Sequence, residues 1–229
     1  MTSTLDRIAT AKHGTDAQRQ ELINDEARAV RATVAQYGTD AQRQSLINDP
    51  YWPVRKAVAC FGTNAHRKEL IGDEEMWVRV AVAEYGTEAH RQALINDPYW
   101  PVREVIARRG TDAQRQELVD DDAWTVRKAV AQYGTVAQRQ ALTGDEQMWV
   151  RVAVAELGTE AHRQELIGDP DWPVREAVAK YGTDTQRQAL IDDPAWTVRK
   201  AVAQYGTVAQ RQVLAGDEEM WVRVAAHGN

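Results

Sequence analysis

Cysteine is nearly absent from this chain: Cys60 is the single one among 229 residues. One thiol excludes an internal disulfide and any cysteine-based metal or iron–sulfur site, and it fits a reducing compartment. Long apolar runs are missing too. None approaches the ~20 residues of a membrane span, and the N-terminal MTSTLDRIATAKH has no hydrophobic signal core. No period-2 alternation marks a strand. Neither sign of charge dominates, since 28 basic residues stand against 34 acidic ones for a formal net charge of −6. That balance favours solubility and disfavours non-specific nucleic-acid binding, while leaving room for a local basic stripe. No histidine stands with a carboxylate or hydroxyl at one unique place, so no catalytic constellation is visible. These absences together lead us to expect a soluble, cytoplasmic, non-enzymatic protein without a cofactor.

What is present is repetition. A 24-residue unit begins at Gly14 with GTDAQRQELINDEARAVRATVAQY and restarts at Gly38, Gly62, Gly86, Gly110, Gly134, Gly158, Gly182 and Gly206. The register holds to Asn229 without insertion or deletion. A fixed short period marks a stacked, quasi-one-dimensional architecture. The expected fold is all-α: a single right-handed α-solenoid over residues 14–229, with nine two-helix repeats (α/α or α/3₁₀), elongated and curved. Residues 1–13 read as an N-terminal half-repeat cap. They keep Arg7 in register with later arginines but place Asp6 and Thr10 where the repeats carry valine. The C-terminal end shows no such polar change, which suggests a contact surface there for another copy or a partner.

The copy over 38–61, GTDAQRQSLINDPYWPVRKAVACF, shows how a repeat is expected to fold. Gly38 suits a left-handed helix-ending position. Thr39 and Gln42 form a capping box, in which His66, His90 and His162 replace the glutamine in three copies. A short helix over about 40–47 follows, too short to survive without neighbours. Asp49 reads as the next N-cap. Pro53 disfavours helix at Trp52, so residues 50–52 are expected to form a separate turn, with the second helix starting near Pro53. Val54, Ala57, Val58 and Phe61 then make an apolar stripe at i, i+3, i+4 and i+7, repeated as Val126, Ala129, Val130 and Tyr133.

The run Asp49-Pro50-Tyr51-Trp52-Pro53-Val54-Arg55, matched by Asp169-Pro170-Asp171-Trp172-Pro173-Val174-Arg175, resembles the second-helix motif of HEAT-like repeats. The 24-residue period is short for ordinary HEAT units and is closer to the leucine-rich-repeat-variant family, a right-handed solenoid of alternating α and 3₁₀ helices. A known member of that family carries an N-terminal iron–sulfur cluster on cysteines. No cysteine stands at this N-terminus, so that feature does not transfer. The resemblance also implies that the arginine column from Arg31 to Arg223 bonds the cap aspartates of its own or a neighbouring repeat.

Two further columns bear on function. The Q-R-Q arginines, Arg43, Arg67, Arg91, Arg115, Arg139, Arg163 and Arg187 among them, are solvated or bonded across repeats in one reading and a phosphate-binding stripe in the other. Trp52, Trp100, Trp124, Trp172 and Trp196 either plug the gaps between repeats, with the indole N–H bonded locally, or stack on bases or a partner peptide. Together these columns support an alternative in which the chain binds nucleic acid, with a resemblance to HEAT-like alkylpurine DNA glycosylases.

The repeat itself has a longer period. Copies 110–133 and 182–205 agree at 20 of 24 positions, and each precedes a copy containing M-W-V-R-V. Every third repeat thus carries Met76/Trp77/Val80, Met148/Trp149/Val152 or Met220/Trp221/Val224. The valine replaces Lys56, Glu104, Lys128, Glu176 or Lys200, so the position is expected to face solvent, with Glu104–Lys128 and Glu176–Lys200 as weak surface pairs. Three exposed apolar patches follow, and they are the leading candidates for binding a protein partner. The main functional expectation is an interaction scaffold.

Overall fold

The computed structural model describes residues 2–228. Among them are 19 α-helices and no strand, and no helix is long and apolar enough to cross a membrane. The chain divides into two compact units, residues 1–114 and 115–229. In the first, the long helices Thr4–His13, Arg28–Tyr37, Trp52–Phe61, Met76–Tyr85 and Trp100–Arg109 pack each on the next. In the second, Trp124–Tyr133, Met148–Leu157, Trp172–Tyr181, Trp196–Tyr205 and Met220–His227 do the same. Helices of six or seven residues link them.

The short helix Asp40–Ser45 is built as its capping box dictates. Thr39 Oγ1 accepts the Gln42 N–H, and Gln42 Oε1 accepts the Thr39 N–H at 2.9 Å. The amide of Gln42 is not exhausted by the cap, since its Nε2 donates to the Asp16 carbonyl of the preceding repeat at 2.7 Å. Beyond Ser45 the backbone tightens. Leu46, Ile47 and Asp49 donate in turn to carbonyls three residues back, so the helix ends two residues earlier than the periodicity suggests. Among the described residues there is no 3₁₀ helix, and both helices of a repeat are α.

Asp49 caps a turn rather than the long helix. Its Oδ1 accepts the Tyr51 N–H at 2.9 Å, residues 50 and 51 bend, and Tyr51 is the N-cap. The helix then begins at Trp52 with Pro53 in its first turn. The missing N–H of Pro53 is harmless there, because the first N–H groups of a helix have no intrahelical partner.

Gly38 is not left-handed. Its φ and ψ are −78° and 179°, and Gly228 is the one glycine among the described residues with positive φ. Glycine is required at the repeat junction for space: a Cβ on Gly38 would stand 2.5 Å from the Val34 carbonyl oxygen and 2.6 Å from Gln42 Oε1.

The core follows the expected stripe only in part. Val54, Val58 and Ala59 are fully buried, as are Val126, Val130 and Ala131, together with Leu46 and Leu142 from the short-helix layer. Phe61 and Tyr133 are exposed instead. Each is the last helical residue, where the chain leaves the long-helix layer and nothing packs over the i+7 position.

Within each unit a ladder of ion pairs ties successive repeats together. Arg127 Nε and Nη2 donate to the two carboxylate oxygens of Asp145 at 2.6 and 3.1 Å, while Nη1 donates to the Asp121 carbonyl at 2.7 Å. Arg31–Asp49, Arg55–Asp73, Arg151–Asp169, Arg175–Asp193 and Arg199–Asp217 repeat the bidentate pattern. Arg7 of the first helix pairs with Asp25 in the same way, so this helix occupies the place of a second helix.

Two outcomes follow. Gly134→Ala would bring a Cβ to 2.5 Å from the Val130 carbonyl oxygen, whereas nothing lies within 4 Å of one on Gly144. Urea titration should show a loss of about 1–3 kcal/mol for the first and a gain of up to about 1 kcal/mol for Gly144→Ala.

The second concerns acid. His90 and His162 are buried and accept the Thr87 and Thr159 N–H groups through Nδ1. Burial lowers both pKa values below the ordinary 6.5. Below that pH the unfolded chain binds protons that the folded chain refuses, so the stability present above 6.5 is lost as pH falls towards the folded-state values. The His90→Gln/His162→Gln variant, which installs the cap of the other repeats, should flatten this part of the Tm–pH curve.

Candidate partner-binding surface

The first turns of the long helices bring the tryptophans to the surface. Trp77, Trp100, Trp124, Trp149, Trp172, Trp196 and Trp221 are exposed and Trp52 is half-buried. Among the described residues no indole N–H donates a hydrogen bond. The tryptophans therefore do not plug the gaps between repeats.

The Q-R-Q arginines are internal struts. Arg139 Nε donates to the Ala131 carbonyl at 2.8 Å and Nη2 to that of Gln132 at 3.1 Å, on the last turn of the preceding long helix. Arg43, Arg67 and Arg187 donate through Nε to Ala35, Ala59 and Ala179. Arg91 and Arg163 use Nη1 on Ala83 and Gly86, and on Ala155 and Gly158. Arg115 is engaged as well. A guanidinium suits this place because it satisfies free carbonyls at the negative end of a helix dipole. A phosphate stripe needs cations turned to solvent, and this column does not offer one.

The Met-Trp-Val repeats behave differently at different places. Met220, Trp221 and Val224 are all exposed, each above half of its full surface. Val80 and Val152 are half-buried rather than solvent-facing. The cause is the next repeat, whose long helix lines the same groove. Lys56, Glu104, Lys128, Glu176 and Lys200 are half-buried too. The column tolerates both signs because a long charged side chain lays its apolar stem along the groove and keeps its head in water. Among the described residues Glu176 forms no ion pair with Lys200.

Two corresponding grooves result. In the first unit Met76, Trp77 and Val80 line a space of 500 Å³ with Trp100, Pro101 and Glu104. In the second, Met148, Trp149 and Val152 line one of 610 Å³ with Trp172, Pro173 and Glu176. Each residue has its counterpart 72 positions along the chain. The sequence marked the Met, Trp and Val members and, in a separate aromatic column, Trp100 and Trp172, but did not join the two sets or mark Pro101, Glu104, Pro173 and Glu176 as their partners. The W-P-V-R-E run, shared by these two copies alone, was the signal. Around Trp221 and Val224 a smaller space of 280 Å³ is lined by Lys200 and Gln204, and Trp52 faces Arg28 in another.

No protein-family model matches the chain, and no curated protein does. A solved structure described as "a leucine-rich repeat variant with a novel repetitive protein structural motif" is similar over 95% of this chain and 88% of its own, at 25% sequence identity and a TM-score of 0.73. This chain shares that repetitive fold, and it folds as a leucine-rich repeat variant.

Proposed function

We propose that the chain is a non-enzymatic interaction scaffold whose partner is a protein. The observation that carries this reading is the recurrence of one aromatic groove at the same place in two repeats 72 residues apart. The other polar columns have structural duties: the arginine ladder joins successive repeats within each unit, the Q-R-Q arginines close helix ends, and the threonine–glutamine and threonine–histidine pairs that follow the junction glycines form caps. The grooves have none. They expose tryptophan, methionine and valine at some cost in solvation, and tryptophan is the residue most often central to protein interfaces. Met220, Trp221 and Val224 offer a further apolar surface of the same residue types. The residues assigned to contact are Met76, Trp77 and Val80, with their counterparts in the second unit.

The experiment is affinity capture with the wild-type chain and with the Trp77→Ala/Trp149→Ala variant, at low salt and at about 0.5 M salt, where surface electrostatics is largely screened. A protein partner retained at both salt levels by the wild type and lost from the variant is the expected result. Retention of DNA or RNA that disappears with salt, and with Arg43→Gln/Arg139→Gln, would replace the proposal with nucleic-acid binding.

A further inference from the structure

The two grooves share a feature that an apolar docking site does not need. Each contains a glutamate, Glu104 or Glu176, on the column that elsewhere carries alanine, valine or lysine: Ala32, Lys56, Val80, Lys128, Val152, Lys200 and Val224; the second groove is also lined by Glu156 and by Asp171, which pairs with Arg151. Glu104 and Glu176 are the two acidic residues of the column, and each stands directly after a Met-Trp-Val repeat. Both are half-buried, and among the described residues neither carries a hydrogen bond or an ion pair. Burial raises the pKa of Glu176 against the opposing pull of the Lys200 and Lys180 charges, as expected of a carboxylate drawn partly out of water with no cation at ion-pair distance.

The cations nearby stand beyond ion-pair distance of these glutamates: Lys200 Nζ lies 6.0 Å from the Trp196 ring and acts on Glu176 only through its charge. In the first groove Arg108 donates through Nη2 to Glu84 at 2.7 Å. In the second, the Lys180 ammonium lies 4.9 Å from the centre of the Tyr181 ring. Arg108 forms no ion pair with Glu104, nor Lys180 with Glu176. The indoles themselves attract positive charge, and the structure shows this within the chain: Lys56 Nζ stands 6.0 Å from the Trp77 ring. Each groove thus sets two tryptophan rings around a column glutamate that forms no ion pair, and in the second groove Glu156 adds a further carboxylate.

From this charge complementarity we infer that each groove receives an arginine side chain of the protein partner. This deepens the scaffold reading and rests on it. Arginine fits both halves of the site, because its planar guanidinium stacks on an aromatic face and donates two parallel hydrogen bonds to a carboxylate. A purely apolar occupant would leave the glutamate desolvated and unpaired, and an anionic one would be repelled.

The test uses small probes on the full chain. N-acetyl-arginine amide is titrated while the indole N–H resonances, assigned by single Trp→Phe variants, are followed by NMR. N-acetyl-citrulline amide, of the same shape without the charge, is the control. Saturable shifts should concentrate on Trp77, Trp100, Trp149 and Trp172 and spare Trp124 and Trp196. Citrulline should bind at least about tenfold more weakly, a difference of ~1.4 kcal/mol. The Glu104→Gln/Glu176→Gln variant, with its helical circular dichroism unchanged, should lower arginine binding to the citrulline level. Equal binding of the two probes, wild-type arginine affinity in the glutamine variant, or shifts spread over all eight indoles would overturn the inference. A negative titration together with tryptophan-dependent capture of a protein would leave the scaffold reading standing and remove the arginine.

Discussion

The bidentate pair between an arginine and the aspartate 18 residues later holds these repeats together. Each pair does three jobs. Arg127 reaches Asp145 of the next repeat with two donors, and its third fixes the Asp121 carbonyl of its own repeat. Asp145 in turn accepts the Gln147 N–H and so sets the bend that starts the next long helix. Both side chains are almost fully buried, at 9% and 4% exposure. Losing one partner would strand a buried charge at about 3–5 kcal/mol. A six-residue helix cannot persist in water alone, so the short layer exists because this interlock keeps the long layer in register. The glutamine ladder from Gln42 to Asp16, and from Gln210 to Asp184, does the same for the short layer with neutral groups.

How much of this can be read from the chain depends on the distance an interaction spans. The Thr–Gln box and its Thr–His variant are legible because both partners lie within three residues, and both form as expected. The arginine ladder is legible through resemblance. What depends on the spacing between neighbouring repeats is not. Gly38 looks like a helix-ending glycine, yet its backbone is ordinary, and the constraint is a carbonyl oxygen 2.5 Å from where a Cβ would be. Phe61 continues the apolar period but lies beyond the layer that would cover it. Val80 shares a column with lysine and glutamate, which suggests open solvent, yet the long helix of the next repeat shields half of it. In each case the periodicity places the residue on the helix correctly and says nothing of what stands opposite.

The same limit explains the candidate site. Met76, Trp77 and Val80 stand out because they break the pattern of their own repeat. Trp100, Pro101 and Glu104 complete the groove from the following repeat: Trp100 is visible in the sequence as a member of the tryptophan column, while Pro101 and Glu104 resemble ordinary variants of a tolerant motif. A groove between repeats is a property of two consecutive units, so a search for unusual residues within one unit finds half of it.

The constancy of the ladder determines where recognition can evolve. Positions 31, 55, 79 and their successors must remain arginine, and the junctions must remain glycine, or neighbouring repeats lose contact. Arginines that recur in every copy are therefore weak evidence of a binding surface, as the Q-R-Q column shows by turning its donors onto main-chain carbonyls. The first-turn positions and the column of Val80 lie beside the ladder without taking part in it. They can change identity from repeat to repeat without loosening the stack. An unpaired glutamate between two tryptophans, placed there twice and absent from the other junctions of that column, is a departure that the scaffold permits and does not require. Specificity in this architecture resides in such pairs of neighbouring departures.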